Sequence, residues 1–298
     1  QMKPNAILAS IPDDKLKAIL AIVHDMLSHN VVPLKDVRSL AGKGANVSTL
    51  LYMWRPFLQQ LWAAMAATQT HAPRNCLWTR QITGSLQWLL AFLTRQTGTV
   101  QRLFTLDAAF GHGVRLEITT DASIYGYGAW LSINGTPAQY FSDTIQATDE
   151  EVLGHTHGDN NGQQCFEAMC LLIATRQWSH LWRSKTVRLR NDNVGALTIF
   201  STLKGSSPGM SAIAREYALD AGEGAHEPEI VAHLPGVTNK TADYLSRRLD
   251  PQYAKDWAVP SFPTNAERVY PGDRPLTWWH ARLAPAFGYD DPVWGAQT

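Results

Sequence analysis

The sequence predicts a mixed α/β protein: a five-stranded mixed sheet flanked by helices and preceded by a small helical bundle. Three observations carry this expectation. Apolar residues recur every three or four positions through the first hundred residues. Near Val114 the period changes to the alternation of strands. From there the elements follow in the order βββαβααβα, which sets helices beside a mixed sheet.

The first helix opens behind Pro12-Asp13-Asp14 and shows Leu16, Ile19, Leu20, Val23 and Leu27 on one face. A second is read from Leu34, Val37 and Leu40 and is expected to stop near Gly42-Lys43-Gly44. A third follows in Leu50, Leu51, Trp54, Phe57, Leu58, Leu61 and Met65, and a fourth in Ile82, Leu86, Leu89, Leu90 and Leu93. Aromatic residues at this spacing read as core, not as a ligand box.

Two strands are read from Val114 to Ile118 and from Gly126 to Leu131, separated by Asp121-Ala122-Ser123. Asn134-Gly135 supplies a tight turn into a third strand, Ala138 to Phe141, so three antiparallel strands form a meander. A polar stretch, Gln146 to Gln164, leads into a helix with Phe166, Met169, Leu172, Ile173 and Trp178. Val187 to Arg190 is the fourth strand, followed by a helix through Ala196, Leu197, Ile199 and Phe200 and another around Met210 to Leu219. Ile230 to His233 is the fifth strand, and a last helix runs through Ala242, Tyr244 and Leu245. Beyond residue 251 prolines and tryptophans are dense and no period is evident; this tail is expected to pack on the body through Trp257, Trp278, Trp279 and Trp294. The expected units are therefore 1–105, 106–250 and 251–298.

Of the 298 residues 45% are hydrophobic and 17% charged, which excludes disorder as the main state. No run approaches eighteen apolar residues and Gln1-Met2-Lys3-Pro4 lacks a signal-peptide pattern, so neither a membrane-spanning nor a secreted protein is expected. Three cysteines without C-x-x-C spacing support neither a disulfide framework nor a cysteine zinc site, and an intracellular, reducing setting fits, cytoplasmic or nuclear. The net charge is zero but unevenly spread: residues 1–105 hold eleven Lys and Arg against four Asp and Glu, residues 106–250 eleven against seventeen. A basic unit able to hold a polyanion thus precedes an acidic one able to hold cations.

Four acids stand where strands end or helices begin: Asp121, Glu167, Asp192 and Asp243. Carboxylates crowded beside an apolar core repel one another and take up protons unless cations neutralise them. Oxygen-only ligation suits Mg²⁺ or Mn²⁺, and two such ions about 4 Å apart can activate a water and stabilise the leaving oxygen in phosphodiester cleavage. From spacing alone, helix capping explains the same acids equally well.

Four segments together carry a family resemblance: Thr120-Asp121-Ala122-Ser123-x-x-Gly126-x-Gly128-Ala129, Glu167-Ala168-x-x-Leu171-x-x-Ala174 followed by Trp178, Arg190-Asn191-Asp192-Asn193-x-x-Ala196, and His233-Leu234-Pro235-Gly236-x-x-Asn239-x-x-Ala242-Asp243-x-Leu245-Ser246-Arg247. In order and content they resemble the motifs of the RNase H domain of retroelement reverse transcriptases, and the last is similar to the signature of gypsy-like and DIRS-like elements. The resemblance covers residues 112–250, about half the chain. A looser one, in Ile11-Pro12-x-x-Lys15, Ser39 to Lys43 and Arg55-Pro56-Phe57-Leu58-x-x-Leu61, is to the thumb and connection of the same polymerases.

The resemblance implies an RNase H-like sheet and a magnesium-dependent endonuclease that cuts the RNA strand of RNA–DNA hybrids. Asp121, Glu167, Asp192 and Asp243 would hold two Mg²⁺ ions, with Mn²⁺ as a substitute; His233 would aid proton transfer or product release. Ser123 and Asn239 would touch the hybrid backbone. The fingers and palm with their Y-x-D-D site are missing, so the polymerase portion of a reverse transcriptase becomes an expected partner, and no membrane is involved. Two departures stand out. Asn191 replaces the more frequent Thr or Ser, a small change, and the Gln146–Gln164 stretch holds His155-x-His157-x-Asp159, a second candidate metal site or a solvated insertion. Hybrid affinity is expected from Arg183, Lys185, Arg188 and the basic N-terminal unit. A non-catalytic nucleic-acid-binding or scaffold remnant is the alternative reading, and a DNA nuclease or transposase on the same fold a third.

Overall fold

In the computed structural model, residues 2–3, 6–67, 71–94, 99–106, 110, 112–182, 185–224, 230–253 and 265–279 are described. Four helices fill the N-terminal part: α1 (Asp13–Leu27), α2 (Leu34–Val47), α3 (Arg55–Ala66) and α4 (Thr83–Leu93). Their apolar stripes meet in a core with Phe57 stacked on Trp88, ring centroids 4.2 Å apart. Two details differ from the sequence reading. Helix α2 does not stop at Gly42 but continues to Val47, because Gly44 lies against Leu58 of α3, where an added Cβ would come within 2.4 Å of its Cδ2. The third apolar run is broken at Leu51 into a 3₁₀ turn, Tyr52–Trp54, and α3.

The helical bundle is also not purely helical. Strands β1 (Met2–Lys3), β2 (Ala6–Ser10) and β5 (Gln101–Thr105) form a small antiparallel sheet, and β3 (Val31–Pro33) pairs with β4 (Cys76–Trp78). These strands are two to five residues long, and apart from the β1–β2 pair their partners lie far away in sequence: Ala6 faces Thr105, Ser10 faces Gln101 and Val31 faces Trp78. Such short segments gain their structure from pairing, which local periodicity does not report.

The second part is built on a mixed sheet of six strands, not five. β6 (Arg115–Ser123), β7 (Gly126–Ile133) and β8 (Thr136–Thr144) make the expected antiparallel meander. The β7–β8 turn places Asn134 at φ 52° and Gly135 at φ 83°, the left-handed pair that a two-residue hairpin needs. β9 (Thr186–Asn191) adds parallel to β6, and β10 (Ile230–His233) parallel to β9. The sixth strand, β11 (Glu267–Arg268), runs parallel to β8 at Gln139–Tyr140 and comes from the tail in which no period is evident.

Helix α5 (Ala147–Leu153) lies inside the stretch expected to be a polar insertion. Its Asp149 is fully buried, together with Arg274 and Trp279 of the described residues 265–279, which include α10 (Leu276–Trp279). Arg274 pairs with Asp149 at 2.8 Å and with Asp143, and the Trp279 indole N–H donates to Asp149 at 3.3 Å. Trp257, Trp294 and Arg183 lie outside the described residues. Helix α6 (Gln163–Gln177) is buried all round from Cys165 to Thr175, sandwiched between the sheet and helices α7 (Val194–Thr202) and α8 (Pro208–Gly224). The opposite face of the sheet receives α9 (Lys240–Arg247). No helix among the described residues is long and apolar enough to cross a membrane.

Candidate metal centre

The glycine-spaced strand β7 explains how α9 reaches the centre of the sheet. A Cβ on Gly128 would come within 2.4 Å of both the Ala242 carbonyl and the Ser246 amide nitrogen, so the helix rests directly on strand backbone. Gly128 is the register partner of Asp121 on β6. The close approach therefore sets the side chains of α9 beside Asp121.

Asp121, at the end of β6, is 4% exposed. Ser246 Oγ of α9 donates to its Oδ2 at 2.5 Å and Asn239 Nδ2 approaches its Oδ1 at 3.5 Å. Glu167 comes from the opposite face, one turn into α6, and is 3% exposed. Three neutral donors hold it: Gln163 Nε2 reaches Oε1 at 2.9 Å, while Asn191 Nδ2 at 2.9 Å and the Ala122 amide at 3.0 Å both reach Oε2. Asp192 follows β9, where Asn193 turns the chain by capping α7 through the Ala196 amide. One ligand oxygen from each of Asp121, Glu167 and Asp192 lies within 4.8 Å of the others. Opposite ligands of an octahedral magnesium ion are about 4 Å apart, so the three converge on the space that one ion needs.

Burial and mutual repulsion raise the proton affinity of all three. Burial, followed by the charges of Asp192 and Asp243, pushes Asp121 up to about 7 against the pull of its bond from Ser246. Glu167 is raised well above its ordinary value, by burial and then by the charge of Asp121. Asp192 is raised by burial and by Asp243. A donor set of three buried carboxylates suits a hard divalent cation, which would reverse these shifts.

The raised affinity of Asp121 fixes a sign for stability. Its value of about 7 in the fold lies above the ordinary 3.8, so the stability it contributes is complete below 3.8 and is lost as pH rises through 7. In chelator, the melting temperature is expected to fall between about pH 4 and pH 7.5, and Mg²⁺ or Ca²⁺ should restore it most at the alkaline end. Differential scanning fluorimetry across that range checks it; a flat profile with no cation response would count against a shared site.

The fourth expected ligand stands apart. Asp243 Oδ1 is held by Arg247 Nε at 2.5 Å, one turn along α9, outside the converging group although near enough to repel Asp121 and Asp192. His233 is exposed, and its Nε2 donates to the Asp192 carbonyl at 3.0 Å, which puts a proton on that nitrogen. Ser123 and Asn239, expected at the hybrid backbone, are both buried with inward partners. Ser123 Oγ donates to the Ser246 carbonyl at 2.9 Å, and Asn239 Nδ2 donates to the Thr120 carbonyl at 3.1 Å. Both tie α9 and its approach to β6 and offer their polar groups to the protein interior. The His155 and His157 rings turn to different acids, Asp159 at 3.1 Å and Glu150 at 2.7 Å, and share no ligand point. Arg188, expected to serve hybrid affinity, shares Glu117 with Arg190, at 3.6 and 3.2 Å.

Gln163, Asn191 and Ser246 each hydrogen-bond one of the clustered acids, and the sequence reading did not single them out for that. Gln163 lies four residues before Glu167 on one helix face, a usable signal. Asn191 is visible as a departure from Thr or Ser, and the structure makes it more than a small change, since its amide bonds Glu167 and Thr120 Oγ1, each at 2.9 Å. Gln163→Ala is expected to weaken divalent-cation binding about tenfold with little loss of melting temperature, because it releases the Glu167 carboxylate without emptying the core. A Mn²⁺ titration by calorimetry measures this.

No family model matches the chain, and no curated protein matches it. Among solved structures it is similar to LC11-RNase H1, isolated from compost by a metagenomic approach, with 17% identity and a TM-score of 0.34 over 44% of this chain and 91% of that one. It is also similar to a foamy viral protease–reverse transcriptase (dRH) in complex with double-stranded DNA, with 13% identity and a TM-score of 0.29 over 73% of this chain and 34% of that one. At these identities and scores the chemistry of the site rests on its own geometry.

Proposed function

We propose that this chain is a Mg²⁺-dependent endonuclease that hydrolyses the RNA strand of RNA–DNA hybrids, and that it forms the C-terminal part of a retroelement reverse transcriptase whose polymerase portion is its partner. The observation that carries the reading is the convergence of Asp121, Glu167 and Asp192, two of them buried, on one ion-sized space. Divalent cations bound there would activate a water and stabilise the leaving oxygen of a phosphodiester. Asp121 and Asp192 would be the central ligands, and Glu167 a fixed one with most of its lone pairs already taken by Gln163, Asn191 and the Ala122 amide. Asp243 would join as the fourth ligand on release from Arg247. His233, exposed beside Asp192, would pass a proton at the rim of the site. Asn239, Ser123 and Ser246 would act by positioning Asp121 and α9.

The pairing of Asp243 with Arg247 favours a second reading, a non-catalytic nucleic-acid-binding remnant in which the fourth ligand is permanently engaged. Cleavage of a labelled hybrid with Mg²⁺ or Mn²⁺, run beside all-DNA and all-RNA duplexes and an Asp192→Asn control, separates the two. Hybrid-only cutting that the control lacks supports the nuclease. Binding without cutting supports the remnant, and cutting of all-DNA duplex would point to a DNA nuclease.

A further inference from the structure

The N-terminal unit contains an open cavity of about 710 Å³ where the end of α1, the antiparallel β3–β4 pair and α4 meet. Its size is that of a small-ligand site. Trp78 of β4, half-buried, presents a flat aromatic wall, and the Arg80 guanidinium lies 5.8 Å from that ring's centroid. Two planar amides, Asn30 and Gln87, and the His29 ring complete the polar lining. No carboxylate among the described residues pairs with Arg80. Asp25, beside the rim, is exposed and stands 4.0 Å from His29.

The walls are fixed before any ligand arrives. The Thr79 amide donates to the Asn30 carbonyl at 2.9 Å, Thr79 Oγ1 to the His29 carbonyl at 2.5 Å, and Thr83 Oγ1 to the Thr79 carbonyl at 2.9 Å. The threonine hydroxyls are thus spent on the scaffold, as is His29 Nδ1, which lies 2.7 Å from the Asp25 carbonyl, and the two amides, the indole face and the Arg80 cation remain for a ligand. An apolar ligand would leave Asn30, Gln87 and Arg80 unmatched. A bare anion would have no use for the Trp78 face. A nucleotide uses all of them: a base stacked on the indole, amide bonds to the base edge, and phosphate at Arg80. The excess of eleven basic over four acidic residues in this unit draws the same polyanion.

We propose that this cavity binds one unpaired nucleotide of a single-stranded segment, with Trp78 as the stacking platform and Arg80 as the phosphate contact. The site is separate from the carboxylate cluster and does not depend on the catalytic reading. It gives the chain a hold on the unpaired end of a nucleic acid.

Fluorescence anisotropy on the full chain, in EDTA so that no cleavage occurs, tests this with labelled twelve-nucleotide single-stranded DNA and RNA beside a blunt hybrid. Trp78→Ala is expected to weaken single-strand binding about tenfold or more, and Trp78→Phe to restore most of it. Arg80→Glu should weaken it comparably and lower the salt dependence by about one counterion. Blunt-hybrid binding should change less than twofold in each. Should Trp78→Ala melt early, Arg80→Glu and Trp78→Phe decide. Unchanged single-strand affinity in Arg80→Glu, equal losses on hybrid and single strand, absence of single-strand binding in the parent, or tighter binding of a labelled oligoglutamate would each overturn the proposal. Asp192→Asn should leave single-strand binding intact even if it proves catalytically silent, so failure of this site and failure of the nuclease reading are distinguishable.

Discussion

Replacing Asp121 by Asn is expected to lower hybrid cleavage by about a thousandfold or more, some 4 kcal/mol of transition-state stabilisation, while the same variant melts above the parent protein in chelator at pH 8. The two effects have one cause. Asp121 is held with a proton affinity near 7 by burial and by two neighbouring carboxylates, so at pH 8 the cation-free fold carries a charge that it accommodates poorly. The amide removes that charge and still offers an oxygen to Ser246, whose hydroxyl donates to Asp121 at 2.5 Å. It also removes a ligand, so the gain in melting temperature on adding Mg²⁺ should vanish. Activity and stability moving in opposite directions is the mark of a site kept for function. Cleavage rates and scanning fluorimetry on the same samples check both, and a variant less stable than the parent at every pH would mean that Asp121 is a structural acid.

The largest loss of stability is expected from Arg274→Ala, about 3 to 5 kcal/mol by urea unfolding. Arg274 is fully buried and answers three groups at once: Asp149 at 2.8 Å, Asp143, and the Thr144 carbonyl at 2.6 Å. Removing it leaves the Asp149 carboxylate buried with only the Trp279 indole and the Gln146 amide as donors. A double change, Arg274→Met with Asp149→Leu, should recover much of the loss, since the cost lies in an uncompensated charge and not in the missing pair. Equal stability of Arg274→Ala and the parent would show that residues 265–279 do not dock in solution.

What the sequence made legible follows the range of the interactions involved. The four N-terminal helices, the meander and the order of elements are written in local periodicity, and the Asn134-Gly135 turn in local backbone chemistry. Strands β2 and β5 each have a partner some ninety residues away, and β11 is two residues long, so neither leaves a periodic trace. Helix α5 leaves little trace because its buried face joins Leu153 to an acid, Asp149, whose partner Arg274 lies in a segment with no period. At the site, the chemical types of Asp121, Glu167 and Asp192 were legible as acids at element ends. The Asp243–Arg247 pair is an i, i+4 spacing on one helix, whereas the convergence of the three acids depends on how α6 packs against β6 and β9, and the inward turn of Ser123 and Asn239 on how closely α9 meets Gly128. That distance is a property of packing, which sequence spacing does not encode.

That close approach has a consequence during synthesis. The strands of the meander leave the ribosome long before α9 and the segment around Arg274. Until α9 is made, β7 shows bare backbone at Gly126 and Gly128, and Asp121 lacks Ser246. Until Arg274 follows, Asp149 has no cation. The nascent chain therefore waits with an uncovered sheet face and an Asp121 that lacks its α9 partner, and whatever acts on the emerging chain in that interval, a chaperone or a protease, meets an open molecule.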